Sequence, residues 1–482
     1  MDIPESVRKN IVIDKISDRI ELGMTKFSEN RNISVMKRWN DTWNKEEEYI
    51  PPTLDVPNTK LFVGFKSLDY SINKAVLPDI NIMANEGREI VPKSRTICLI
   101  GEKGSGKSIL SSIIVLDNIV KKFHLPCLII DPAGEFYMHK YSLRTRYKDS
   151  NMQHKLDEYE QKFNVKFDGY SGKVFNIGFD STFQEEGVDD SLKLTLNDFR
   201  ELYNFSKIEG IQSLLSILDL GDSHASGYLA GQILENKEIS GFGQVIQILR
   251  GELNESNKEL KQAGTAFRTY LEEAIMLGTL SSSNDSGIDI ISELARNDFV
   301  AIKGKLKLGE DAKIYNKYLI YIKIYLAKVI VDRTRFIFGN AAEKKISRLN
   351  HQLGVVILID EADSICPENG GGFLKSLVEQ LATKYRKIGI TLCALSQNAS
   401  LLDHVLLQQS DSLFLSRLRS QDNIHAVSER GISKQTIQIL RHLEVEKENS
   451  LLNLVSEWAY ISQHNEIVSF FPCPPLSNFK SQ

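Results

Sequence analysis

Eight consecutive residues, Gly101-Glu102-Lys103-Gly104-Ser105-Gly106-Lys107-Ser108, carry the GxxxxGK[ST] spacing of a phosphate-binding loop. An apolar run at 96–100 precedes them, and a helical pattern at 108–120 that takes in Ile109 comes after, the strand–loop–helix order this motif needs. Glycines let the backbone turn its N–H groups inward around phosphates, and the positive end of the helix after the loop adds to the field. Lys107 is expected to reach the β and γ phosphates, and the Ser108 hydroxyl to ligate Mg²⁺. The chain has no guanine-specific Asn-Lys-x-Asp run, and ATP is the expected nucleotide.

A second constellation lies at 355–363, where an apolar run ends in Asp360-Glu361-Ala362-Asp363. Two acids at a strand end opposite a phosphate loop divide the work: Asp360 is expected on the metal side, and Glu361 as the base that polarises water. The run at 390–395 ends in Ser396-Gln397-Asn398 and makes Gln397 a candidate γ-phosphate sensor. Asp131-Pro132-Ala133-Gly134-Glu135 leaves another strand end, with Glu135 an auxiliary candidate; Pro and Gly suit a plain turn as well.

These groups need a scaffold that brings several strand ends to one edge. Short apolar runs at 96–100, 127–130, 173–177, 299–302, 355–359 and 390–395 read as buried parallel strands, most of them separated by helical patterns. The fold class is therefore α/β: a RecA-like P-loop NTPase core with a mainly parallel sheet, at 93–181 and 298–465. The stretch 182–297 reads as helix only, with apolar periodicity at 211–220, 245–253 and 267–277, an expected helical insertion. Residues 1–92 form a small N-terminal region of uncertain fold with extended candidates at 61–65 and 80–83, and 466–482 reads as a C-terminal tail.

The bulk properties are those of an ordinary globular protein: 482 residues, 42% apolar and 25% charged, long enough for two to four structural units. A net charge of −4 means that any nucleic-acid partner must meet a local basic surface. Cys98, Cys127, Cys366, Cys393 and Cys473 form no CxxC pair, which excludes an evident zinc site or disulfide framework; they are expected as buried thiols in a reducing, cytoplasmic setting. The early residues lack an apolar signal core, and lysines at 323 and 328 interrupt the most apolar helical run, 318–331, so no membrane segment is expected.

Taken together, these motifs resemble the HerA/FtsK superfamily of ring-forming DNA-pumping ATPases, the HerA branch in particular. Asp131 to Glu135 looks like that family's acidic signature after its second strand, and Asp360 to Pro367 resembles its DEAH-like Walker B. Arg386-Lys387-Ile388-Gly389, then Leu395-Ser396-Gln397-Asn398-Ala399-Ser400, is similar to its helix end and sensor strand, and residues 405–418 are similar to the family's stretch beyond that strand. Asn398-Ala399 stands where the family often has Arg-Pro, and no N-terminal β-barrel is traceable in 1–92.

The resemblance implies a homo-hexamer with ATP and Mg²⁺ between subunits, double-stranded DNA in the channel, and a nuclease or other effector acting in trans. It also implies an arginine from the neighbouring subunit, Arg386 as first candidate and Arg417 as second, while Arg95 resembles a family arginine near the phosphate loop. Basic stretches at 144–148 and 303–307 are the candidate phosphate contacts to DNA. Two other functions fit the same engine: a secretion or pilus-assembly ATPase acting on protein, and a nucleotide-gated scaffold that hydrolyses little.

Overall fold

The computed structural model describes residues 64–66, 75–76, 83–86, 89–92, 95–146, 148, 150–163, 166–177, 187–202, 239–251, 258–276, 278–284, 287–304, 312–350, 352–370, 372–443, 456–462 and 467–472. In chain order the described strands are β1 (Gly64–Lys66), β2 (Ala75–Val76), β3 (Met83–Glu86), β4 (Glu89–Pro92), β5 (Thr96–Ile100), β6 (Cys127–Asp131), β7 (Gly172–Ile177) and β8 (Asp190–Leu192). They continue with β9 (Phe299–Lys303), β10 (Val355–Ile359), β11 (Ile390–Ser396), β12 (Ser412–Leu415), β13 (Trp458–Ser462) and β14 (Ile467–Pro472). The chain divides into two compact units, a smaller one within Val174–Ser292 and Leu306–Arg348 and a larger one within Met24–Lys173, Glu293–Lys305 and Leu349–Gln482.

In the larger unit the sheet order is β2-β1-β14-β13-β12-β5-β11-β10-β6-β9. From β12 to β9 every pairing is parallel, with Leu415 opposite Ile100, Ser396 opposite Ile100 on the other side, Ile359 opposite Ala394 and opposite Ile130, and Asp131 opposite Lys303. All these strands therefore end at one edge, and the glycine-rich loop, Glu135, the Asp360-Glu361 pair, Gln397 and Arg417 come after strand ends there. Strands β5, β10 and β11 are buried along their whole length, which is why they present as unbroken apolar runs. The helix Gly372–Thr383 covers the sheet with Leu374, Leu377, Val378, Leu381 and Ala382, a helical period of buried side chains.

Beyond β12 the pairing turns antiparallel: β13 on β12, β14 on β13, β1 on β14 and β2 on β1. Two expectations change here. The stretch 466–482 is not only a tail, since β14 is a sheet strand, and part of 1–92 contributes β1 and β2 to the same sheet. The extended candidates at 61–65 and 80–83 only overlap the observed β1 and β3.

In the smaller unit, β8 pairs in parallel with β7, a short strand inside a stretch expected as helix only. The helices Phe242–Gly251 and Lys258–Met276 overlap the periodic runs at 245–253 and 267–277, whose last residues, like the run 211–220, lie outside the described residues. The helix Ala312–Phe338 is the long element, and no described helix is long and apolar enough to cross a membrane. Its buried Lys328 meets Asp198 at 2.6 Å and Glu201 at 3.2 Å, while Arg348 bonds Glu201, Asp289 and Asp332. Burial opposes charge on Lys328, but the two carboxylates outweigh it and hold its pKa above the ordinary lysine value.

Lys328→Met is expected to destabilise this unit by about 3–5 kcal/mol, because it strands the buried Asp198 carboxylate without its cation, while Glu201 keeps Arg348; thermal or urea unfolding measures it. Burial pushes the Glu201 and Asp289 carboxyls up, yet their cationic and hydroxyl partners win and hold both below their ordinary values, 4.5 and 3.8. A depressed carboxylate stabilises fully above its unfolded pKa. The network's contribution is therefore complete above pH 4.5 and is expected to fall as pH drops through the folded values.

Candidate nucleotide-binding site

The loop after β5 has the backbone its glycines permit: Gly104 and Gly106 sit at φ 83° and 81°, where a side chain would be strained. Gly101 has a different constraint, since a Cβ there would lie 2.4 Å from Ser105 Oγ and 2.5 Å from Ser416 Oγ. The helix Lys107–Ser111 starts directly on the loop and continues as a π-helical stretch, Ser112–Val120. Lys107 Nζ curls back to donate to the carbonyls of Gly101 (2.7 Å) and Glu102 (3.3 Å). Those carbonyls satisfy the ammonium from within the loop itself.

Four carboxylates gather around this loop. Asp360, at the end of β10, is almost wholly buried; burial first, then Asp131, Glu361 and Glu135, raise its pKa well above the ordinary carboxylate range. Glu361 is half-buried and also raised, by burial and then by Asp363 and Glu135, with Lys107 opposing. Burial lowers the Lys107 pKa, while Asp360, Asp363, Glu135 and Glu361 pull it back up. So much negative charge around one ammonium, with a serine hydroxyl among hard oxygen donors, fits a magnesium ion held with nucleotide phosphates.

Glu361 sits at φ 48°, one of two non-glycine residues in the left-handed region among the described residues. Its N–H donates to Asp360 Oδ1 (3.0 Å), and its carbonyl accepts from the Ser364 N–H (2.9 Å) and hydroxyl (2.7 Å). Such a backbone costs of order 1–3 kcal/mol and persists where surrounding contacts hold it. Asp363, more buried than Glu361, leaves Oδ1 without a hydrogen-bond partner among the described residues.

The Asp131-to-Glu135 segment is a turn built by its first residue. The buried Asp131 carboxylate accepts the N–H groups of Gly134 (2.7 Å), Glu135 (3.0 Å) and Phe136 (2.9 Å). Burial still pushes its pKa up to about 6, against those three donors. The turn presents Glu135, whose Oε2 accepts from Ser108 Oγ at 3.1 Å. Asp131 is the residue that sequence reasoning did not single out; an acid at the last position of an apolar strand was the available signal.

Strand β11 lies between the loop strand β5 and the acidic strand β10, and the half-buried Gln397 comes directly after its last residue. Arg386 lies in the 3-10 turn Tyr385–Ile388 before β11, at the opposite edge of the sheet; its side chain lies outside the described residues. Seven strand residues at ~3.3 Å each separate it from the loop edge by roughly 20 Å. Arg417 comes after β12 at the loop edge, half-buried, with Nε lacking a hydrogen-bond partner among the described residues.

Arg95 is a correction. It precedes β5 at the edge away from the loop and pairs with Asp411 at 3.0 Å, while the other Asp411 oxygen accepts the Thr96 N–H at 2.9 Å. Of the basic stretches, Arg144 is clamped by Asp157 and Glu160, both at 2.7 Å, which spends its charge within the fold. Lys303 stacks over Tyr137 at 5.0 Å, and Lys305 and Lys307 lie outside the described residues.

Cys98, Cys127, Cys366 and Cys393 are buried free thiols pushed up by burial, Cys98 to about 12, and are chemically quiet; Cys473 lies outside the described residues. One other group of possible metal ligands exists among the described residues, Glu368, Asp403 and His404. The Lys375 ammonium holds Asp403 at 2.7 Å, and Asp403 caps the helix His404–Gln409, so the cluster is already satisfied as structure.

No family model matches the chain, and no curated protein matches it. Among solved structures it is similar to VirB4 of Thermoanaerobacter pseudethanolicus, at 12% identity over 86% of this chain and 96% of that one, with a TM-score of 0.50. Similarity extends to the plasmid coupling protein TrwB in complex with ADP and Mg²⁺, at 14% identity over 80% and 86% of the two chains and a TM-score of 0.43. It extends also to the genome packaging NTPase B204 from Sulfolobus turreted icosahedral virus 2 in complex with AMPPCP, at 11% identity, 79% and 98% coverage and a TM-score of 0.32. The VirB4 likeness shows the fold, a RecA-like P-loop NTPase core.

Proposed function

We propose that this chain is an ATP-hydrolysing ring motor of the HerA/FtsK type that translocates on double-stranded DNA and works with a nuclease or other effector. The observation that carries the ATPase reading is the edge where Lys107 and Ser108 of one strand end meet Asp360, Glu361 and Glu135 of two others. Ser108 and Asp360 would hold Mg²⁺, which when bound supplies positive charge to the β and γ phosphate oxygens.

The chain's own residues supply the rest. Lys107 exchanges its loop carbonyls for phosphate oxygens, and the loop amides line the same anion. Glu361 accepts the proton of the attacking water, and its raised pKa brings it nearer to neutral pH as a base. Gln397, from the strand between loop and acids, orients that water or senses the γ phosphate. The DNA and ring readings rest on the motif resemblance and on the position of Arg386, too far from its own loop to serve it. Arg417, the second candidate for the neighbour's arginine, follows β12 at the loop edge.

The arginine assignment has a mixing test. Arg386→Ala and Lys107→Ala proteins, each inactive alone, are expected to regain part of the ATPase activity when mixed, since one supplies intact loops and the other intact arginines. An inactive mixture would place the arginine's role elsewhere. Translocation itself is tested by ATP-driven displacement of a triplex-forming strand from linear duplex DNA. ATP hydrolysis without displacement, but stimulated by an unfolded protein substrate, would favour a protein-directed ATPase.

A further inference from the structure

The Trp458 indole is completely buried, and its Nε1–H donates to the Ser105 carbonyl at 3.1 Å. Ser105 lies inside the phosphate loop, 353 residues away in sequence. The sheet explains the meeting. Strand β13 runs antiparallel to β12 with Ala459 opposite Leu415, and β12 runs parallel to the loop strand β5, so the first residue of β13 lies at the edge where the loop begins. The far side of the ring underlies the loop's first glycine: a Cβ on Gly101 would lie 3.0 Å from Trp458 Cη2.

The contact fixes more than packing. A trans peptide is planar, with its C=O and N–H pointing in opposite directions, and the described chain contains no cis peptide. Holding the Ser105 carbonyl toward Trp458 therefore turns the Gly106 N–H away from the indole. That is the side on which a loop of this class meets phosphate. Gly106, at φ 81°, has the backbone freedom that makes this peptide plane easy to flip.

Building on the nucleotide-binding reading above, we propose that Trp458 is a positioning residue for nucleotide: its indole N–H locks the Ser105–Gly106 peptide so that the Gly106 N–H faces the bound phosphates. Losing the lock lets the plane rotate before binding, and each binding event must then restore it. The effect falls on affinity, because ground state and transition state use the same amide.

The test measures binding of a non-hydrolysable ATP analogue with Mg²⁺ to the full chain by calorimetry, alongside steady-state ATPase kinetics. Trp458→Phe keeps a ring and removes the donor. Benzothienylalanine at position 458 keeps the bicyclic shape and puts sulfur in place of N–H, which covers the case in which the phenylalanine variant fails to fold. Both are expected to bind the analogue about 5- to 30-fold more weakly, with KM for ATP raised, kcat at saturation little changed, and, for the isostere, cooperative thermal unfolding without nucleotide at a midpoint lowered only modestly by the lost hydrogen bond. Wild-type affinity in the folded isostere would overturn the inference and leave the nucleotide site intact. Absence of analogue binding to the wild-type chain would overturn the inference and the nucleotide reading together.

Discussion

Glu361→Gln is expected to lower kcat for ATP about 100- to 10,000-fold, while ATP still binds. The amide matches the carboxylate in size, so the left-handed backbone held by Asp360 and Ser364 survives, but it accepts no proton from water. Removing the charge that Asp360, Asp363 and Glu135 each repel also relieves the nucleotide-free protein. The variant should therefore retain ATP through gel filtration, with a thermal midpoint no lower than that of the wild type. Turnover near the wild-type rate would remove Glu361 from the role of base and shift attention to Asp363.

Lys107→Ala is expected to abolish nucleotide binding. The ammonium is the cation among four carboxylates, and it also bonds the Gly101 and Glu102 carbonyls of the loop. Without it, both the phosphate contact and the shielding of those acids disappear. Differential scanning fluorimetry gives a direct reading: at about 100 times Kd, a bound nucleotide stabilises the wild type by about 2.7 kcal/mol, and the variant should show no shift. A normal shift in the variant would mean that nucleotide binds somewhere other than this loop.

Much of this site was legible in the sequence because each part of it is local. The loop motif, the Asp360-Glu361 pair and Gln397 each come after an apolar run buried on both faces, and runs of that kind announce parallel strands whatever their order in the sheet. The insertion of β11 between β5 and β10 then brings the three ends to one edge.

The features that escaped were non-local. Arg95 is near the loop in sequence but a full strand length from it, held by Asp411, 316 residues further on. Trp458 reaches the loop only because β13 runs antiparallel beside β12, and the short apolar runs of these two strands do not show that pairing. Asp131 looked like part of a turn because it is one; its second role comes from the burial that crowds it against Asp360.

The measurement that bears most directly on a DNA-driven ATPase is ATP turnover by the purified chain with and without linear double-stranded DNA, at low and at physiological salt. Strong stimulation by DNA that weakens as salt rises, and that Lys107→Ala and Glu361→Gln both abolish, is the predicted result. Turnover indifferent to DNA at either salt, yet still dependent on Lys107 and Glu361, would contradict the DNA motor while leaving the ATPase in place.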